Sequence, residues 1–287
     1  MIGVDAGGAI AFELRGLGLW TPGFADAVAW SSRHVPGDRP EPGPGADSPR
    51  AELLPPMLRR RTSLLTRMAA EVAAQAIAAA GLDRAHVTVI YGSVYGEIRT
   101  TIDLLEALLD PAAPLSPTKF HNSVHNTAAG YVSIAAQNHG GNAAITAGRS
   151  TLAMGLLECA GLVAAGQGPA LLVIAEESLP EPLAAGRRYG PLAAAFAVDA
   201  PGSGGMVLRT CRLRQGDRAG AAIAPLPEDL QANPCAAALG LVEAALRAEA
   251  SCVALEPHRE RGWVIELDGM DEPSRPDERP ARARGPA

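Results

Sequence analysis

Aromatic residues are scarce in this chain: Phe, Trp and Tyr make up 4% of the 287 residues, although 47% are hydrophobic. Its core must therefore be assembled from Ala, Leu, Val and Ile, the composition of a globular protein. Positive charge is also in short supply, with 25 Lys and Arg against 31 Asp and Glu, a net charge of −6. That balance excludes a duplex-binding protein, which needs a basic surface to neutralise phosphates. Lys119 is the only lysine; this reads as codon bias in a GC-rich genome, and arginine richness by itself carries no function. No run approaches the ~18 uncharged apolar residues of a membrane span. Met1-Ile2-Gly3-Val4-Asp5 has neither the basic nor the apolar region of a signal peptide, so a cytoplasmic location is expected. The four cysteines, Cys159, Cys211, Cys235 and Cys252, form no C-x-x-C pair. No zinc knuckle or disulfide framework is indicated, and they are expected as small buried hydrophobes. The length admits one large domain or two ordinary ones, and it supports a core without disulfides or metals.

Along the chain, a strand is expected over 10–19, ending in the turn cluster Trp20-Thr21-Pro22-Gly23, with a short helix over 24–30. Residues 36–49 are dense in Pro and Gly and read as a loop or a disordered insert. Pro55 and Pro56 precede a helical pattern over 57–80, with Leu64, Leu65, Met68, Val72 and Ile77 at three- and four-residue steps and Gly81 as its C-terminal cap. The β-branched run 87–91 suits a buried parallel strand. Helices over 97–109, 127–137 and 150–165 and strands over 142–146 and 170–175 complete a strand–helix alternation, which implies an α/β sheet with helices on both faces. Beyond Glu176, residues 192–198 and 205–213 read as consecutive antiparallel strands. A polar linker over 215–229, an Ala/Leu helix over 234–248 and a strand over 262–267 follow, and residues 271–287, with almost nothing to bury, read as a disordered tail.

The most informative segment is Ile145-Thr146-Ala147-Gly148-Arg149-Ser150-Thr151-Leu152-Ala153-Met154-Gly155. A strand that turns sharply into a helix through small residues presents a side chain at a helix N-terminus, where N–H groups and the helix dipole stabilise an anion. The hydrolase form G-x-S-x-G is not met, because Thr151-Leu152 follows Ser150. Ser150 therefore reads first as a cap and only second as a nucleophile. His121 and His125 are four apart, yet Asn122 stands where a zinc protease carries glutamate and no third ligand is evident, so no metal site is assigned. Asn122 and Asn126 read as loop-bracing residues that hydrogen-bond backbone.

Residues 120–177 resemble the N-terminal half of a β-ketoacyl synthase of the thiolase-like superfamily. The likeness is carried by His125-Asn126-Thr127-Ala128-Ala129-Gly130-Tyr131, by the strand, turn and helix ending in Met154-Gly155, and by Ala175-Glu176-Glu177. Placing Met154-Gly155 on that family's Ile-Gly puts Ala147 in the slot of the acyl-accepting cysteine. A methyl group cannot form a thioester. Nothing after Glu177 resembles the two histidine motifs of the family's second half, and His258 lies in a polar turn.

A closer resemblance is to the short ketosynthase-like chain-length factors found beside true ketosynthases in aryl polyene and related pathways. It is carried over about 11–199 by Leu53-Leu54-Pro55-Pro56-Met57-Leu58-Arg59-Arg60-Arg61, by Tyr91-Gly92-Ser93 with Gly96-Glu97, and by Leu115-Ser116-Pro117-Thr118 with Phe120-His121-Asn122-Ser123-Val124-His125-Asn126. The resemblance implies an α/β fold: a single thiolase-like half over 1–213, a mixed, mainly parallel sheet flanked by helices on both faces, with the Pro/Gly-rich loop at 36–50. A C-terminal helix–strand appendix over 214–270 and the tail 271–287 would follow. It implies a catalytically silent subunit that pairs with an active β-ketoacyl synthase, shapes its acyl tunnel and meets an acyl carrier protein. No cofactor is expected beyond the phosphopantetheine arm of that carrier. Leu104, Leu108, Phe120, His121, Asn122, His125, Asn126, Ala129 and Gly130 become the tunnel and interface candidates. The basic spot Arg59, Arg60, Arg61 and Arg67 is either a solvated helix start or a docking place for the acidic carrier. The rival functions are a small acyl-thioester hydrolase or transferase using Ser150 or Ser93 with His121 or His125, and a carrier-binding scaffold without a tunnel role.

Overall fold

The computed structural model describes residues 8–33, 43, 45–110, 112, 114–181, 183–217 and 226–270. The expected tail, residues 36–42 and 44 of the Pro/Gly-rich loop, and 218–225 of the linker lie outside them. The chain runs β1 (Ile10–Trp20), α1 (Ala27–Ser31), α2 (Pro56–Arg59), α3 (Leu64–Ala80), β2 (Thr88–Gly92), α4 (Ile98–Leu109), α5 (Pro117–Asn122), α6 (Thr127–Ala136) and β3 (Asn142–Ile145). It continues through a 3₁₀ turn (Gly148–Ser150), α7 (Thr151–Ala164), β4 (Ala170–Glu176), β5 (Leu192–Asp199), β6 (Arg209–Asp217), α8 (Glu228–Gln231), α9 (Ala237–Leu246), β7 (Ser251–Ala254) and β8 (Arg261–Leu267).

The helix expected over 57–80 is two helices. Ser63 accepts the N–H of Thr66 at 3.0 Å and starts α3 afresh, so the prolines open only the short α2. Gly81, at φ 62°, closes α3 as its position foretold.

One eight-stranded mixed sheet has the order β3-β2-β4-β5-β1-β6-β8-β7. Only β2–β3 and β2–β4 are parallel, and the other five pairings are antiparallel. The sheet is thus less parallel than expected. Parallel neighbours need a helical crossover, and no long helix lies between β4 and β5 or between β5 and β6. The strands expected as an antiparallel pair, β5 and β6, do not touch as partners, because β1 lies between them and pairs with both. The expected boundary at residue 213 falls inside β6. The segment read as an appendix joins the same sheet, through seven β6–β8 partners from Cys211↔Leu267 to Asp217↔Arg261.

Period-two alternation splits the strands between two apolar layers. Leu171, Val173 and Ala175 of β4 and Ala193, Ala195 and Ala197 of β5 face α3 and α6. Leu172, Ile174, Phe196 and Val198 face the opposite layer, with α1, α7 and α9. A register shift between Leu14 and Gly16 keeps Leu17 and Leu19 on the side of Phe12 and Leu14. Scarcity of aromatics is matched by close approach: a Cβ on Gly18 would run into the Val72 carbonyl of α3, and one on Gly16 would stand 2.6 Å from the Ala76 carbonyl oxygen. Among the described residues no helix is long and apolar enough to cross a membrane.

Candidate functional site

The parallel strands β3, β2 and β4 end side by side, and their outgoing turns form the site. After β3 the chain passes Thr146 and Ala147 into the 3₁₀ turn and α7. Gly148 has φ 56°, a left-handed conformation that suits glycine. Thr151 braces the turn, its hydroxyl accepting the Ala147 N–H at 3.0 Å and donating to the Gly148 carbonyl at 2.7 Å. The turn therefore has the expected form of a strand feeding a helix, and the side chain it displays at Ala147 is an exposed methyl.

Neither serine meets a histidine side chain among the described residues. Ser150 is buried and its hydroxyl donates to the Glu256 carboxylate. The Ser93 hydroxyl donates to Glu176 Oε2 at 3.1 Å and accepts the Gly96 N–H at 2.9 Å. His125 Nε2 reaches the Ser93 backbone carbonyl at 3.0 Å rather than its hydroxyl. The base-to-nucleophile contact a serine hydrolase needs is not formed at either residue.

Beneath the turn lies a group of buried carboxyls that sequence reasoning did not foresee. Glu176, at the end of β4, accepts the Val94 N–H at 2.6 Å as well as the Ser93 hydroxyl. Burial pushes its carboxyl from 4.5 up to about 7, against the pull of those hydrogen bonds. Burial raises Glu177 to about 7 too, helped by neighbouring Glu97 and opposed by Arg99. Glu97 joins the starts of α3 and α4 by accepting the hydroxyls of Ser63 and Thr66, each at 2.7 Å; its carboxyl is raised by burial against those bonds. Glu176 Oε1, Glu177 Oε1 and the Tyr91 hydroxyl have no hydrogen-bond partner among the described residues. The group fixes the end of β3, since the Ser93 N–H donates to the Ile145 carbonyl and the Thr146 hydroxyl to the Val94 carbonyl, both at 3.3 Å. The sequence signal was present in the acidic pair that ends the wholly apolar run of β4.

The other candidates divide between surface and interior. Leu108 is 60% exposed and Phe120 70%, and Leu105, Leu109, Leu115, Val124 and Ile134 are exposed as well. Leu104 is buried on the inner side of α4. Ala128 and Ala129 also face inward, against α3 and the sheet, so they are core rather than contact residues. A Cβ on Gly130, by contrast, would meet open space.

Asn122 is nearly buried and bridges two elements, donating to the Arg61 carbonyl at 3.3 Å and accepting the Tyr131 hydroxyl at 2.9 Å. Asn126 starts α6 without a side-chain cap bond. His121 sets its ring edge-on to Tyr131 at 6.5 Å. α5 stops at Asn122, so His121 and His125 do not share a helix. Among the described residues no group of three or more His, Cys, Asp or Glu is placed to hold a metal. Arg60 and Arg61 are exposed, whereas Arg59 and Arg67 are half-buried, with Arg59 donating to the Leu54 carbonyl at 3.2 Å. Cys159, Cys211 and Cys235 are buried and Cys252 partly so; burial pushes the Cys211 thiol up to about 12.

The family model described as "Beta-ketoacyl synthase, N-terminal domain" matches residues 29–264. No curated protein matches the chain. Among solved structures, a ketosynthase (ApeO) in complex with its chain length factor (ApeC) from Xenorhabdus doucetiae matches with TM-score 0.65 and 20% identity, over 89% of this chain and 99% of the matched one. The ishigamide ketosynthase/chain length factor matches with TM-score 0.70 and 16% identity, over 90% and 99%. A type II PKS acyl-carrier protein in complex with its ketosynthase bound to the hexaketide (AntDE:AntF) matches with TM-score 0.69 and 11% identity, over 91% and 99%. At these identities the likeness is one of fold, and each matched chain is of about the same length as this one.

Proposed function

The chain belongs to the β-ketoacyl synthase N-terminal domain family, and from that premise we propose that it is the catalytically silent, chain-length-determining subunit of a ketosynthase heterodimer in polyketide or polyene biosynthesis. The observation that carries this reading is Ala147: the strand, turn and helix are built, and the side chain they display is a methyl that can accept no acyl group. Decarboxylative condensation of acyl and malonyl thioesters falls to a partner subunit with its own cysteine and histidine pair.

Support for a partner comes from the same end of the sheet. β3 pairs with β2 only, leaving its other edge without a strand among the described residues, with Ala143 and Ala144 at its centre. Such an edge invites pairing with another chain. α4, α5 and α6 also carry exposed apolar side chains of the kind that a subunit contact would cover. Their exposure supports Leu108 and Phe120 as the side chains we assign to a partner's acyl tunnel. Leu104, being buried, acts there only through the packing of α4. Arg60 and Arg61, exposed on an acidic chain, offer a docking point for an acidic carrier protein, whose phosphopantetheine arm brings the thioester.

The test is co-expression with a candidate β-ketoacyl synthase partner, followed by reconstitution with carrier protein and analysis of product length. Co-purification as a heterodimer, and shorter products when Leu108→Trp is introduced, are expected. A heterodimer whose product length ignores Leu108 would reduce the chain to a carrier-binding scaffold. A monomer that ignores ketosynthases and turns over acyl thioesters alone would overturn the reading.

A further inference from the structure

The β7–β8 loop returns to the head of α7. Glu256, in that loop, is 3% exposed, and its Oε1 accepts the hydroxyl of Ser150, the residue at the N-cap of α7. Its Oε2 accepts the Trp263 N–H at 2.9 Å, and Arg259 Nε lies 3.3 Å from Oε1. Gly262 leaves the room: a Cβ there would stand 2.7 Å from Oε2. Ser150 in turn donates its own N–H to the Ala147 carbonyl at 3.1 Å, so the carboxylate sits one turn from the methyl that replaces the nucleophile.

A carboxylate this deeply buried is expensive unless several donors face it. Here a hydroxyl, a backbone N–H and the Arg259 guanidinium do so, Arg149 of the turn and His258 of the same loop are the further charged or titratable groups at this place, and the head of a fourteen-residue helix adds a positive dipole end. Those are the same features that would stabilise a thiolate or a carbonyl oxyanion in an open turn.

We propose that Glu256 is a resident anion for the head of α7, supplied by the loop between β7 and β8, and that it holds the electrostatic place an acyl-accepting thiolate would need. The inference rests on the reading of Ala147 as the silent acyl-acceptor position. Silence is then set twice, once by the missing nucleophile and once by a fixed negative charge that disfavours any anion put there. Restoring a cysteine alone gives a sluggish thiol.

The experiment compares Ala147→Cys with the double variant Ala147→Cys/Glu256→Gln in the full chain. Iodoacetamide alkylation is followed from pH 5.5 to 9.5, with the new thiol read by peptide mass spectrometry and partly exposed Cys252 as internal control. Loss of the negative charge is expected to lower the pH midpoint of the new thiol and to speed its alkylation at pH 7 about three- to tenfold, with Cys252 unchanged. Superimposable profiles from two cooperatively melting proteins would overturn the proposal. If the Gln variant does not fold, Ala147→Cys/Ser150→Ala unties the carboxylate from the helix head; a smaller rise in the same direction is expected, and no rise overturns it. Acylation of the unaltered chain by a thioester would refute silence at Ala147 while leaving the thiol comparison to stand or fall separately.

Discussion

Replacing Glu176 by Gln probes the buried carboxyl group under the turn. In the folded chain Glu176 is fully buried and its carboxyl is raised from 4.5 to about 7. Between those values the folded state holds a proton that the unfolded state has released. The group's contribution is therefore fully present below pH 4.5 and is lost as pH rises through 7. At about 1.4 kcal/mol per pH unit, the loss across that window is roughly 3 kcal/mol. Glu176→Gln mimics the protonated form and keeps an oxygen for the Val94 N–H and Ser93 hydroxyl. It should thus lie within about 1 kcal/mol of the parent at pH 5 and be more stable than it by about 1–3 kcal/mol at pH 8. Urea unfolding of both proteins between pH 5 and 8.5 reads this directly. A stability difference that stays constant across that range would refute the desolvation argument.

Gly18→Ala should destabilise the fold by about 3 kcal/mol or more, because its methyl would run into the Val72 carbonyl where α3 crosses β1; thermal melting measures it. Phe120→Asp, at a 70% exposed position, should leave the melting temperature nearly unchanged while weakening association with a ketosynthase partner about tenfold or more in analytical ultracentrifugation. Charge reversal at Arg60 and Arg61 should weaken carrier-protein binding and flatten its salt dependence in titrations from low to high ionic strength. Unchanged binding and salt slope would assign those arginines to a solvated helix start.

Where local chemistry decides an element, the amino-acid pattern was enough. The apolar runs of β2 and β4, the capping role of Gly81, and the strand-to-helix turn at Ala147 could all be read before the fold was known. Pairing could not. β1 takes its place between β5 and β6 because an apolar strand buried on both faces needs a neighbour on each edge, a long-range demand that no local window records. For the same reason 214–270 read as an appendix, although β8 extends the sheet. At the site, Asn122 was legible as a bracing residue, but its partners, Arg61 and Tyr131, come from different elements. Ala129 looked like a contact residue because small side chains serve close packing equally well inside and outside; only burial separates the two uses. The tie between Ser150 and Glu256 spans 106 positions, beyond any motif.

The Glu256 tie and the carboxyls under β3 hold the turn that displays Ala147. The proposed silent subunit would contribute surface and shape rather than bond-making. The most direct measurement is intact-protein mass spectrometry of the chain in complex with its ketosynthase after exposure to an acyl carrier thioester. The account predicts an acyl adduct on the partner alone, with the mass of this chain unchanged. A covalent acyl adduct on this chain would contradict it.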